Sequence, residues 1–154
     1  PPLGLAQLAG CLEEADIPVE ILDANALELD LAGLEKAIAG ANPDLIGITV
    51  FTPYVPDVDR AVRAARRAAP EATIVLGGPH ATFTVEETFE TMPATDVIVR
   101  GEGDQIIVDL ARALDAGDGL RTCPASATAG TARSWKIPPP LPWTSGTIPS
   151  RPFT

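Results

Sequence analysis

The sequence contains four short apolar runs, rich in β-branched residues, that alternate with longer segments of helical periodicity. The runs are Val19–Asp23, Leu45–Val50, Thr73–Leu76 and Asp96–Val99, and their starts lie 26, 28 and 23 residues apart. This spacing leaves room for one helix between successive strands, as βαβ units require. Because the runs show little polar alternation, we expect strands that are buried on both faces of a parallel sheet.

Segments with the apolar periodicity of amphipathic helices precede, separate and follow the four runs. Apolar residues recur three or four positions apart from Leu5, from Leu31, from Val58 and from Ile107. Strands joined by such helices through right-handed crossovers predict an α/β fold with a doubly wound parallel sheet, Rossmann- or flavodoxin-like. That architecture opens on a strand, whereas this sequence opens on a helix. We therefore expect that its first strand is missing and that the sequence starts inside a larger protein.

The composition changes abruptly near Gly117. Residues 1–118 hold all 21 acidic residues and 7 basic ones, whereas residues 119–154 hold no acid, four bases and 7 of the 16 prolines. We predict a domain over residues 1–118 and a Pro-rich linker or irregular tail over residues 119–154. Within the tail, Trp135 and Trp143 are the side chains that we expect to dock on the domain as isolated aromatic anchors.

Charge and hydropathy exclude several classes of partner. The acidic domain over residues 1–118 repels phosphate backbones, which argues against nucleic acid as a partner. No apolar run is long enough to span a bilayer, and no charged segment followed by an apolar stretch marks a signal peptide. The two cysteines, Cys11 and Cys123, lie too far apart in sequence for a disulfide framework or a metal pair. We expect a cytoplasmic protein with no membrane partner.

Ligands of an open parallel sheet bind outside the carboxyl ends of its strands, so the loops after the four runs are the candidate site. Gly77-Gly78 follows a strand directly, and its bare backbone could lie against a large planar or phosphorylated ligand; a plain turn has the same sequence. The turn Arg100–Gly103 could hold an anion or an amide-rich ligand, or serve only as a flexible connection. Thr49 and His80 are equally open to a ligand role or to an ordinary strand and loop role.

No motif for catalysis or metal binding is present in the sequence. Its single histidine, His80, has no serine and aspartate at triad spacing, and Glu102 has no partner carboxylate. No group of Cys, His, Asp and Glu has the spacing of metal ligands. We therefore predict no catalytic residue, no metal ligand and no complete active site, so the sequence does not decide whether the chain acts as part of an enzyme.

Taken together, several segments resemble one family. The sequence over residues 1–118 is similar to the N-terminal cobalamin-binding domain of cobalamin-dependent radical S-adenosylmethionine (SAM) enzymes. The segments that carry the resemblance are Pro1–Leu5, Leu8–Glu13, Val19–Ala24, Pro43–Thr49, Gly77–Thr82 and Val99–Gly103.

The resemblance implies a cofactor and a set of contacts. Cobalamin would be held without a protein histidine on cobalt, because Pro1–Gly4 stands where related methyltransferase domains carry an Asp-x-His-x-x-Gly loop. A glycine pair following Thr49 after 27 intervening residues is another mark of such domains. The implied cofactor-binding residues are Gly4, Thr49, Val50, Thr52, Gly77, Gly78, His80, Gly101, Glu102 and Gly103, and Thr52, His80 and Glu102 should converge at one end of the sheet.

The resemblance also implies a partner. The iron–sulfur cluster and S-adenosylmethionine would belong to a radical SAM domain whose Cys-x-x-x-Cys-x-x-Cys loop this sequence lacks. The chain would then be a module that holds the corrinoid for methyl transfer or rearrangement. Two alternatives are a cofactor-free receiver-like or regulatory module, which needs an Asp that residues 50–54 lack, and half of a nucleotide-binding enzyme, which needs a Gly-x-Gly-x-x-Gly motif.

Overall fold

The computed structural model describes residues 2–117 and 126–128, which form one sheet with helices on both faces. The strands are ordered β1-β2-β3-β4 across the sheet. The first three are parallel, with Leu45 opposite Thr73 and Val75 opposite Val97, and β4 is antiparallel to β3. The strands are β1 (Leu45–Thr49), β2 (Thr73–Gly77), β3 (Val97–Val99) and β4 (Ser126–Thr128).

Six α-helices and one 3-10 turn connect and cover the described strands. Local signals begin several of them: the Asp30 carboxylate accepts a hydrogen bond from the N–H of Gly33 at the start of α2, 2.7 Å away. None of the helices in the described ranges is long and apolar enough to cross a membrane. The helices are α1 (Leu3–Glu14), α2 (Leu31–Ala41), α3 (Val55–Ala68), α4 (Pro79–Phe83), α5 (Val85–Thr91) and α6 (Asp104–Asp115), and the 3-10 turn is Thr52–Tyr54.

Two apolar cores lie on opposite faces of the sheet. Ile74 and Leu76 of β2 belong to the core under α2 and α3, whereas Val75 between them belongs to the core under α1 and α6. This period of two is the alternation of side chains along a strand. Because β2 and β3 are covered on both faces, each reads as a continuous apolar run. The predicted doubly wound α/β architecture is confirmed.

The prediction that Val19–Asp23 is a fourth parallel strand is wrong. The segment has no strand assignment, although Val19 packs against the α1/α6 core and Leu22 against the α2/α3 core. No strand among the described residues pairs with it, and β1 stands at the end of the strand order. Apolar alternation buries side chains, but a strand also needs a neighbour for its backbone N–H and C=O groups.

A short strand lies where the sequence shows no strand period. Ser126–Thr128 pairs with β3 in an antiparallel register, with Ser126 opposite Val99. Three residues are too few to show a periodicity of their own, so only the neighbouring strand determines this element. The predictions for Trp135, Trp143 and the rest of the tail lie outside the described residues.

The amino-terminal edge of the sheet is held by one arginine of α3. Arg66 lies on α3 with three other arginines, and its side chain is only 27% exposed. Its guanidinium donates to the carbonyl oxygens of Ala72 (2.7 Å) and Ala94 (3.1 Å) and pairs with the Asp96 carboxylate. The same carboxylate accepts the N–H of Ile74 at 2.7 Å. Arg66 thus ties together the starts of β2 and β3.

Candidate functional site at the carboxyl edge of the sheet

The loops that follow β1, β2 and β3 meet at the carboxyl edge of the sheet because the three strands are parallel. The first two loops are joined directly. Thr52 Oγ1 lies 3.2 Å from His80 Nδ1, and the N–H of His80 donates to the carbonyl of Val50. The structure therefore brings Thr52 and His80 together, as the sequence predicted.

Gly78 is required by the fold at this edge. Its φ of +96° lies in the region that favours glycine, and a Cβ at this position would stand 2.8 Å from Thr49 Oγ1 and 3.0 Å from the carbonyl oxygen of Val50. The adjacent strands close tightly here, since the N–H of Val50 donates to the carbonyl of Gly77 at 2.8 Å. Gly78 is therefore packed beside Thr49, with no room for a side chain.

Gly77 stands in a different environment although it is the adjacent residue. Its φ is not in the left-handed region, and the nearest atom to an added Cβ would be the carbonyl oxygen of Val99 at 3.9 Å. Gly77 lies opposite Thr49 in the register, and both side-chain positions point to the α1/α6 face. Within the described part of the chain, this position could therefore accept a Cβ without a close contact.

The open position continues along β1. Gly47 is exposed, and an added Cβ there would meet no atom within 4 Å. It lies two residues before Thr49 and so shares the same face of the sheet. No hydrogen bond joins Thr49 Oγ1 to another residue of the described part. We call Gly47, Thr49 and Gly77 the small-residue strip; among residues 2–117, no side chain packs against its two glycines.

The turn after β3 completes the edge. Gly101 has a φ of +73°, and Glu102 is exposed and does not contact His80 or Thr52 through a hydrogen bond. Gly103 is tighter, since a Cβ there would stand 3.3 Å from a methyl group of Leu8. Glu102 thus lies at the same edge without joining the pair formed by Thr52 and His80.

Helix α1 brings Gly4 to the same end of the molecule. Gln7 of α1 donates a hydrogen bond of 2.5 Å to the carboxylate of Asp104, the first residue of α6 after the β3 turn. Gly4 lies one turn earlier on α1 and is exposed, and an added Cβ there would meet nothing within 4 Å. Val50, in contrast, has a fully buried side chain in the α2/α3 core, so only its backbone faces this edge.

Three exposed aromatic side chains surround the edge. Phe51 is 48% exposed, Tyr54 60% and Phe83 86%. Two of them flank Thr52 on the β1 loop, and the third ends α4. An exposed aromatic rim of this kind is typical of a surface that a ligand or another domain covers.

Sequence reasoning did not single out Thr82 as a residue of this edge. Thr82 accepts a hydrogen bond from the N–H of Gly101 at its hydroxyl (3.1 Å), and its carbonyl receives Arg100 Nε at 3.4 Å. The partners are 18 and 19 positions apart in sequence, so no local pattern marks them. Only the placement of α4 beside the β3 turn brings them together.

The remaining polar groups of the described part do not form a competing site. A cleft of about 330 Å³ lies between α1 and α6 and is lined by Cys11, Glu14 and Arg112 among others. One of these lining residues, Cys11, is half-buried. Within residues 2–117 and 126–128, no three His, Cys, Asp or Glu side chains group closely enough to hold a metal ion.

Comparison with known proteins identifies the family. The B12 binding domain matches residues 1–111. An uncharacterized methyltransferase of Pyrococcus horikoshii is 38% identical over 121 residues, which is 79% of this chain and 26% of that protein. The anaerobic magnesium-protoporphyrin IX monomethyl ester cyclase of Rubrivivax gelatinosus is 35% identical over 118 residues, or 76% of this chain and 21% of the cyclase.

A solved structure agrees with this assignment. The radical S-adenosylmethionine methyltransferase TsrM from Kitasatospora setae superposes with a TM-score of 0.80 and 25% identity, covering 92% of this chain and 28% of TsrM. The chain thus spans about a quarter of the length of these relatives. The resemblance predicted from the sequence is confirmed: the chain belongs to the B12 binding domain family and is related to radical SAM enzymes.

Proposed function

We propose that this chain binds cobalamin along the carboxyl edge of its sheet and holds it for a radical SAM domain of the complete protein. The observation that carries the proposal is the difference between two adjacent glycines. Gly78 is needed by the fold, whereas an added Cβ at Gly77 would meet only one atom of the described residues, the carbonyl oxygen of Val99, at an ordinary contact distance. An open strand position beside an unpaired hydroxyl suits a large ligand that lies flat against the backbone.

The residues present fit such a ligand. The small-residue strip offers bare backbone at Gly47 and Gly77, and Thr49 Oγ1 can donate or accept one hydrogen bond there. Thr52 and His80 stand at the mouth, where their mutual hydrogen bond fixes the imidazole. Gly4, Gly101, Glu102 and Gly103 lie around the rim. Val50 contributes its backbone and keeps its side chain in the core.

The cofactor supplies the chemistry, and this chain supplies binding and orientation. Cobalamin, when bound, provides a cobalt centre that can carry a methyl group or take part in a rearrangement. We assign no residue of this chain a bond to cobalt, because the sequence lacks the Asp-x-His-x-x-Gly loop that carries the cobalt-binding histidine in related domains. The iron–sulfur cluster and S-adenosylmethionine would belong to the radical SAM domain, and the exposed aromatic rim would face that domain.

The test is a titration of the 154-residue chain with hydroxocobalamin, followed by its visible spectrum and by co-elution on a sizing column. We expect retention of the cofactor by the wild-type chain. Gly77→Val should weaken binding at least tenfold because the new side chain fills the strip, while a β-branched residue suits the end of a strand. The matched control is Gly40→Val, at an exposed position of α2 where an added Cβ meets nothing within 4 Å.

Equal affinity of Gly77→Val and the wild type, with both folded, would place the ligand elsewhere. A wild-type chain that neither retains hydroxocobalamin nor changes its spectrum would contradict the proposed function itself. The same titration of His80→Ala tests whether His80 bonds to cobalt. It should weaken binding modestly and leave the cobalt spectrum unchanged, whereas a shifted spectrum would show that His80 bonds to cobalt.

A further inference from the structure

Helix α4 is the element that links the three loops of the carboxyl edge. On one side, its His80 bonds Thr52 of the β1 loop. On the other side, its Thr82 bonds Gly101 of the β3 turn. A five-residue helix has little stability of its own, so its position depends on contacts with its neighbours. These side-chain bonds add to the burial of Ala81 in the core and to the backbone bond from His80 to Val50.

Thr82 joins the two glycine-containing turns directly. Its backbone N–H donates to the carbonyl of Gly78 at 3.0 Å, while its hydroxyl accepts the N–H of Gly101 at 3.1 Å. Its carbonyl also receives Arg100 Nε at 3.4 Å. One residue thus contacts the turn after β2 through its backbone and the turn after β3 through its side chain.

The β3 turn has few other constraints among the described residues. Gly101 is exposed and takes a positive φ, and Glu102 beside it is exposed as well. The turn becomes fixed again only at Gly103, which packs near Leu8 and begins α6. The hydroxyl of Thr82 is therefore the contact that holds the middle of this turn against α4.

We propose that Thr82 is a positioning residue that holds the β3 turn over the carboxyl edge and thereby slows the release of the bound cofactor. This inference rests on the proposed function for its ligand. Thr82 itself does not need to touch cobalamin; it acts through the backbone of Gly101. Losing one such hydrogen bond should open the turn more often without unfolding the sheet.

The experiment compares three variants of the full chain. Thr82→Val is nearly isosteric and removes the hydroxyl, Thr82→Ser keeps it, and Thr91→Val makes the same change at an exposed residue that ends α5. The first readout is hydrogen–deuterium exchange at the Gly101 amide in the free protein. The second is the release rate of hydroxocobalamin in a chase with excess ligand, followed by absorbance. Thermal unfolding of each variant reports its fold.

We expect Thr82→Val to raise both the exchange rate at Gly101 and the release rate by roughly threefold to tenfold, a range set by the net free energy of one hydrogen bond. Thr82→Ser and Thr91→Val should stay within about twofold of the wild type, since neither loses that bond. Rescue by serine separates a hydrogen-bonding role from a packing role, which a serine would not restore.

Unchanged exchange at Gly101 in Thr82→Val would overturn the inference, because the hydroxyl would then not hold the turn. Faster exchange with an unchanged release rate would overturn it as well, since the turn would lie outside the site. A wild-type chain that does not bind hydroxocobalamin would defeat the proposed function, and with it the role in release. The exchange measurement on the free protein would still show whether Thr82 holds the turn.

Discussion

The two edges of the same sheet are built in opposite ways. At the amino edge, Arg66 of α3 donates to three carbonyl oxygens and pairs with Asp96, whose carboxylate also receives the N–H of Ile74. The partners of Arg66 there are therefore satisfied within the protein. At the carboxyl edge, Thr49 has no hydrogen-bonding partner among the described residues, and Gly77 leaves its side-chain position open.

The difference shows how this fold separates stability from binding. The charged network at one edge fixes the register in which the strands begin, so the loops at the other edge need contribute little to holding the sheet together. Bare backbone, short hydroxyl side chains and exposed aromatic rings can then remain at the carboxyl edge. The comparison predicts that substitutions at the amino edge change the free energy of unfolding, whereas substitutions in the small-residue strip change the affinity for the cofactor.

The largest effect on stability is expected at Gly78, the residue of the carboxyl edge that the fold requires to be glycine. Gly78→Ala should lower the free energy of unfolding by about 2–4 kcal/mol, because its φ of +96° is unfavourable for alanine and the new Cβ would meet Thr49 and the backbone of Val50. Gly77→Ala is the matched control and should change it by less than about 0.5 kcal/mol. Urea unfolding measures both, and equal losses would erase the distinction between the two glycines.

A smaller loss is expected at the amino edge. Arg66→Met keeps much of the side-chain volume and should cost about 2 kcal/mol, since four hydrogen-bonding partners lose their donor while a quarter of the side chain is exposed. Arg63→Met removes an exposed ion pair with Asp59 and should cost less than about 0.5 kcal/mol. Folded Arg66→Met should retain hydroxocobalamin affinity. Loss of affinity at unchanged stability would show that the edges are not independent.

The smallest effect should be a gain. Thr95 precedes β3, is 2% exposed, and its hydroxyl is buried without a hydrogen-bonding partner among the described residues. Thr95→Val should therefore raise the free energy of unfolding by about 1 kcal/mol. Thr88→Val is the control, because the buried Thr88 hydroxyl lies 3.2 Å from that of Thr84 and its loss should destabilise. Loss of stability in Thr95→Val would indicate that its hydroxyl is satisfied in solution.

The sheet could be predicted from the sequence because its determinants are local and periodic. Runs of β-branched residues such as Leu45–Val50 indicate buried strands, and the spacing of these runs indicates helices between them. Pairing is not local, which explains both errors. Val19–Asp23 has the composition of a strand but no neighbour in the described protein, whereas Ser126–Thr128 lacks the composition and pairs with β3.

The sequence predicts where the candidate site lies in the fold, but it does not predict which contacts the residues of the site make. Parallel strands place the loops carrying Thr52 and His80 at one edge, which sequence alone establishes. The same reasoning could not separate Gly77 from Gly78, since their difference lies in φ and in what a Cβ would meet. It also could not find Thr82, whose bond to Gly101 depends on how a short helix packs.

Hydrogen–deuterium exchange of the wild-type chain, with and without saturating hydroxocobalamin, compares the two edges in a single measurement. The cofactor should protect amides in residues 49–54, 77–83 and 100–103, and leave those in residues 66–73 and 94–96 unchanged. Protection confined to the amino edge, or to the α1/α6 cleft, would contradict the assignment of the carboxyl edge as the cobalamin site.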